Sequence, residues 1–217
     1  IYFSGFSANL FESNERSSRA LTEGMTEAIA WEGITDTIKT SSGYYVESLF
    51  VMQLMQIVGK KLMLESYFGN KGTIEIEKAL DKFSYGILQS DILLSNIEEN
   101  FLKYKTGNKE KQTLLASIQI TLIEYYRNKM LYLIENKLIT KEAVEESLVV
   151  YEDSLIRPEV MMKKTDNIEI FVGLDESIER FNSVKKEMID MLSDNYTMNG
   201  EKKYTKKRTS PINTGNK

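Results

Sequence analysis

Between Lys109 and Lys137 apolar residues return every three or four positions, at Leu114, Leu115, Ile118, Leu122, Tyr125, Tyr126, Met130, Leu133 and Ile134. An α-helix repeats every 3.6 residues, so this spacing gathers one apolar stripe on one helical face. The same period recurs along the chain. Val46, Leu49, Phe50, Met52, Leu54, Ile57 and Val58 cover most of the circumference of a helix from Tyr44 to Val58, which makes it the most buried one. Gly59 ends or kinks it, and a short helix from Lys60 to Tyr67 stops at Gly69-Asn70-Lys71-Gly72. Thr73 is the expected cap of Ile74 to Phe83. The next helix is expected over Tyr85 to Lys105, with Ile87, Leu88, Ile92, Leu94, Ile97 and Phe101 as its stripe. After the long segment, Thr140 caps a helix beginning at Lys141, and Arg157-Pro158 is the clearest break. The last helix runs from Glu176 to about Asp194, with Ile178, Phe181, Val184, Met188, Ile189 and Leu192 inward. Only Thr165 to Gly173 alternates briefly, as an extended segment would. The expected fold class is therefore mainly α.

With 217 residues the chain is long enough for one domain or two small ones, and 41% hydrophobic with 28% charged residues is an ordinary soluble composition. No stretch reaches the ~18 uninterrupted apolar residues of a membrane span. The closest, Tyr44 to Val58, is broken by Glu47, Gln53 and Gln56. From Glu201 onward six Lys or Arg stand against one acid, a net +5, which leaves −9 on residues 1–200 of the −4 total. A body that acidic argues against nucleic acid as the main partner. The basic segment 199–217 has no apolar stripe and is expected to be a disordered tail. The chain has no cysteine, which excludes a disulfide framework, and no histidine. Without either residue the usual nucleophile-base pairs are excluded, and no Walker-type loop, dinucleotide fingerprint or EF-hand loop is present. Frequent Lys, Asn and Ile suit an AT-rich bacterial genome, and the expected location is the bacterial cytoplasm or cell surface.

The stretch Leu21-Thr22-Glu23-Gly24-Met25-Thr26-Glu27-Ala28 stands apart from this scaffold. On a helix Glu23 and Glu27 lie on one face, one turn apart, where like charges cost a few tenths of a kcal/mol unless solvated or bridged by a cation. Gly24 costs ~1 kcal/mol against Ala in a helix interior. Either it is tolerated, or another backbone or a metal-bearing helix comes close there. Ser17 or Ser18 is placed to cap this helix, Trp31 to be a core residue or a lid over its end, and Gly33 to terminate it.

Leu-Thr-Glu-Gly-Met-Thr-Glu-Ala resembles the third-ligand helix of the gluzincin class of zinc metallopeptidases, in which a His-Glu-x-x-His helix supplies two zinc ligands and a later helix a glutamate. The segments Ser4-Gly5-Phe6-Ser7 and Leu64-Glu65-Ser66-Tyr67-Phe68-Gly69-Asn70 are similar to those of small bacterial proteins of that class, so the resemblance covers roughly the first third of the chain. It implies that Glu23 is a zinc ligand and that Glu27 steadies a ligand histidine. Glu27 stands where Asp is frequent, and Thr22 where Asn is usual. Tyr44, Tyr45 and Tyr67 are the nearby hydroxyls able to face an oxyanion or substrate, with no choice among them. Zinc sites draw on Cys and His before carboxylates and need three protein ligands when catalytic. This chain alone completes no such site, so no cofactor is expected for it by itself. Because it starts at Ile1, it suits the carboxy-terminal part of a larger parent whose His-Glu-x-x-His segment lies upstream and whose substrate is a peptide or protein. The implied division is a zincin-like helical part over 1–83, a helical bundle or array over 84–198 and the tail over 199–217. The alternative is a noncatalytic helical interaction or scaffold protein, including one that keeps a peptidase's shape without its metal.

Overall fold

The computed structural model describes residues 18–31, 43–69, 72–106, 113–162, 173–199 and 203–206. The fold is mainly α, with the order α1 (Arg19–Trp31), α2 (Tyr45–Val58), α3 (Lys60–Phe68), α4 (Ile74–Asp81), α5 (Ser90–Thr106), α6 (Thr113–Glu135), α7 (Lys141–Asp153), α8 (Pro158–Met162) and α9 (Leu174–Asn195). Two short strands, β1 (Tyr196–Asn199) and β2 (Lys203–Lys206), follow as an antiparallel pair with Tyr196 opposite Lys206. The extended segment expected before Gly173 and most of the basic tail lie outside the described residues. Among the described residues no helix is long and apolar enough to cross a membrane.

As its all-round apolar pattern predicts, α2 is the central helix, packed against α1, α3, α4, α5, α6 and α7. It buries Val46, Leu49, Phe50, Val51, Leu54 and Ile57. One contiguous apolar cluster runs from Ala20 to Leu192 and continues without interruption across position 83. The stripe of α6 is buried at Leu115, Ile118, Leu122, Tyr125, Tyr126, Met130 and Ile134, and it covers α2, α5 and α9. Helix α9 runs beside α6 in the same direction, because Gln119 meets Ser177, Glu124 meets Arg180 and Arg127 meets Glu187, with both numbers rising together. Aromatic stacking joins three layers, with Tyr151 of α7 between Tyr126 of α6 at 4.0 Å and Phe181 of α9 at 5.5 Å.

Two buried glutamines satisfy the backbone where α7 gives way to α8. The Gln53 amide donates to Ser154 O at 2.9 Å, and its carbonyl accepts from the Tyr151 hydroxyl at 3.3 Å. Gln119 accepts from Ile156 N at 2.6 Å and donates to Ile156 O at 3.1 Å and to Ser177 Oγ at 2.5 Å. An irregular segment can enter a core only with its polar groups paired in this way. Thr140 caps α7 by accepting from Ala143 N at 3.3 Å, and Pro158 opens α8, a position where its missing N–H has no cost.

The structure departs from the sequence reading in three places. The helix expected from Tyr85 starts only at Ser90, because Tyr85 (φ 48°) and Gly86 (φ 72°) take left-handed backbone and form a turn. That turn is tied down by Ile87 N donating to Ser84 O at 3.0 Å and by the Ser90 hydroxyl donating to Asp81 Oδ1 at 2.6 Å. Ile87 and Ile92, both expected in the stripe, consequently face solvent, while Leu94, Ile97 and Phe101 are buried as expected. Ile189 is also exposed, since it sits about 100° around α9 from the buried Met188. Thr73 precedes α4 without capping it, for its hydroxyl donates to Glu77 Oε1 at 2.8 Å.

Candidate functional site

Helix α1 carries the two carboxylates singled out by sequence, and it is anchored at its start, middle and end. At the start, Glu98 of α5 accepts from the Ser18 hydroxyl and from Ala20 N, both at 2.9 Å, while Ser18 Oγ accepts from Leu21 N at 3.2 Å. A carboxylate from another helix thereby satisfies one free N–H and faces the positive end of the dipole, and Ser18 satisfies a second N–H. In the middle, Gly24 lies against the backbone of α2. A Cβ built on it would sit 2.6 Å from the Glu47 carbonyl carbon and nearer still to its oxygen. Of the alternatives open for this glycine, the close approach of another backbone is the one observed, and that backbone belongs to α2. At the end, Trp31 is buried, packs against Tyr45 with ring centres 5.7 Å apart and donates from Nε1 to Glu27 Oε1 at 2.7 Å.

Buried residues Ala20, Leu21, Gly24, Met25, Ala28 and Trp31 mark one side of α1, and Glu23 and Glu27 lie together beside them, both partly exposed. Among the described residues the charged neighbour of Glu23 is Arg19, 3.9 Å away, with the two side chains 27% and 68% exposed respectively. Arg19 also stands over the Phe101 ring at 5.8 Å, and Tyr44 stacks on the same ring at 6.3 Å. The Tyr67 hydroxyl shares a hydrogen bond of 2.8 Å with Thr26 Oγ1. Burial pushes the Tyr45 hydroxyl upward in pKa, opposed by the positive charge of Arg157.

Of the five residues proposed from sequence, Glu23 and Glu27 lie on α1 itself; Tyr44 stacks on the Phe101 ring that Arg19 covers, Tyr45 packs on Trp31, and Tyr67 bonds Thr26. None of them lines the concavities of about 410, 270 and 470 Å³ found at the α4–α5 face, at Trp31 and Met55, and at the turn before α5. Sequence reading missed Glu98 altogether, since a side chain 78 positions from the N–H it accepts from carries no local signal. The Trp31 bond to Glu27 had a signal, the four-residue spacing that puts both on one helical face.

Among the described residues the candidate site falls short of the three protein ligands that a catalytic zinc needs. The chain has neither His nor Cys, and among the described residues no group of three or more His, Cys, Asp or Glu is gathered as a metal would require. No family model matches the sequence, and no curated protein and no solved structure matches it either.

Proposed function

We propose that this chain is the carboxy-terminal part of a bacterial zinc metallopeptidase of the gluzincin class, in which Glu23 binds the metal and Glu27 holds a ligand histidine. On this reading the chain does not hydrolyse peptides alone. The observation that carries it is the state of Glu23: a partly exposed carboxylate on a helix secured along its length, whose one charged neighbour among the described residues is a mostly exposed arginine at 3.9 Å. An exposed pair of that kind is worth ~0–1 kcal/mol, so a cation of higher charge displaces the arginine readily. Glu27 supports the reading because Trp31 orients its carboxylate through one oxygen, as expected of an acid that fixes a histidine tautomer. Two histidines must come from a His-Glu-x-x-His helix upstream of Ile1. A zinc ion so held supplies Lewis acidity and a bound water of lowered pKa, with a peptide or protein as substrate.

The test is Glu23→Ala in the protein that includes the upstream helix. Zinc content and proteolysis are both expected to be lost, and a mutant that retains stoichiometric zinc overturns the ligand role. A second reading, a noncatalytic helical interaction protein, is favoured by the packing explanation for Gly24, which accounts for one motif residue without chemistry. The encoded sequence ahead of Ile1 separates the two: the histidine pair supports the peptidase, and its absence supports the scaffold.

A further inference from the structure

Tyr125 is fully buried in α6, and its hydroxyl meets no hydrogen-bonding group among the described residues. A phenol enters a core at a cost unless its O–H is paired, so buried tyrosines as a rule carry a bond at the tip of the ring. The other two large buried tyrosines follow that rule. Tyr126 shares a bond of 2.9 Å with Ser147 Oγ, and the Tyr151 hydroxyl donates to Gln53 at 3.3 Å. Phenylalanine would fill the place of Tyr125 without the cost of an unpaired hydroxyl.

The surroundings of that hydroxyl are polar. Asn128, three residues on and on the same face of α6, donates to Phe83 O at 2.8 Å, which sets this face against the turn joining α4 to α5. Across the turn the Ser90 hydroxyl donates to Asp81 Oδ1 at 2.6 Å, and the other carboxylate oxygen of Asp81 has no partner among the described residues. Burial raises the Tyr125 pKa, and the negative charges of Asp81 and Asp91 raise it further, so both carboxylates stand near the hydroxyl though beyond direct bonding reach. Asp81 and Asp91 are exposed, which brings solvent up to them. A phenolic donor and an acceptor-only carboxylate too far apart to bond are the two ends that one water joins, since it accepts from the first and donates to the second.

We infer that a water molecule is bound beneath the α4–α5 turn as a fixed part of the fold, accepting from Tyr125 Oη and donating to the free oxygen of Asp81. It ties α6 to a turn whose backbone is left-handed at Tyr85 (φ 48°) and Gly86 (φ 72°). Urea unfolding of Tyr125→Phe decides by sign. A hydroxyl held by water takes a net hydrogen bond with it when removed, so the unfolding equilibrium constant should rise about fivefold; an unpaired hydroxyl is removed with a gain, and the constant would fall. The substitution keeps the ring and its packing, so the variant folds. Combined with Asp81→Ala, it should show a coupling of roughly threefold, the double variant losing less than the sum of the two. A high-resolution crystal structure of the chain should place water density about 2.8 Å from Tyr125 Oη. An unchanged or lower unfolding constant for Tyr125→Phe, additive effects of the two variants, or a hydroxyl without that density overturns the inference.

Discussion

Replacing Gly24 by alanine sets two effects against each other, and the structure decides which wins. In an isolated helix the change is favourable by ~1 kcal/mol, because alanine loses less backbone entropy. Here the new Cβ would stand 2.6 Å from the carbonyl carbon of Glu47, closer than real Cβ contacts allow. The obstacle is backbone in the first turn of α2, so no side-chain rotation relieves it. The helices must separate, and the buried neighbours Leu21, Met25 and Ala28 lose contact with α2. Overpacking of this kind costs typically 1–3 kcal/mol, and a backbone obstacle belongs at the upper end. After subtracting the propensity gain, the net destabilisation is about 2 kcal/mol. For a chain of this size that lowers the melting temperature by roughly 4–8 °C. Thermal unfolding followed by circular dichroism measures it, with Ala30→Gly on the exposed side of α1 as the control that reports propensity alone. An unchanged or higher melting temperature for Gly24→Ala would refute the close approach of α1 and α2.

Two further outcomes follow from the buried and ionic contacts. Gln119→Leu strands the N–H and C=O of Ile156 and one bond of Ser177 inside the core, so urea unfolding should show a loss of about 3 kcal/mol or more; a loss under about 1 kcal/mol would mean that the segment finds other partners. Glu152 and Glu187 have pKa values below the ordinary 4.5, the first chiefly through the hydrogen bond from Lys185 and the second through that from Arg127. A depressed folded-state value stabilises the protein above the unfolded pKa, and that contribution disappears as pH falls through the folded value. The stability difference between wild type and Glu152→Gln should therefore be present at neutral pH and shrink below about pH 4.5, and a difference constant down to acid unfolding would contradict the ion pair.

Periodicity was enough to locate α2, α6 and α9 and to name most of their buried residues, because a 3.6-residue repeat needs only local information. The cap at Thr140 was legible for the same reason and that of α1 was narrowed to Ser17 or Ser18, with Ser18 the one that bonds an N–H three residues on. The start of α5 was not. Ile87, Leu88 and Ile92 satisfy the apolar period, but the ties of the turn to Ser84 and Asp81 outweigh it. Around α1 the sequence showed the pair Glu23 and Glu27 and an unexplained glycine. That Glu98 caps the helix, that Trp31 holds Glu27 and that Gly24 meets Glu47 depended on helices brought together from distant parts of the chain.

Sequence alone determined that this protein is helical and which faces are apolar, since both depend on residues within a turn of one another. Tertiary structure decided what those faces meet, and so assigned Gly24 to a helix crossing and turned Ile87 toward solvent. The physical reason is range: propensity and period act over about four residues, whereas a backbone contact between α1 and α2 exists only after the chain has folded back on itself.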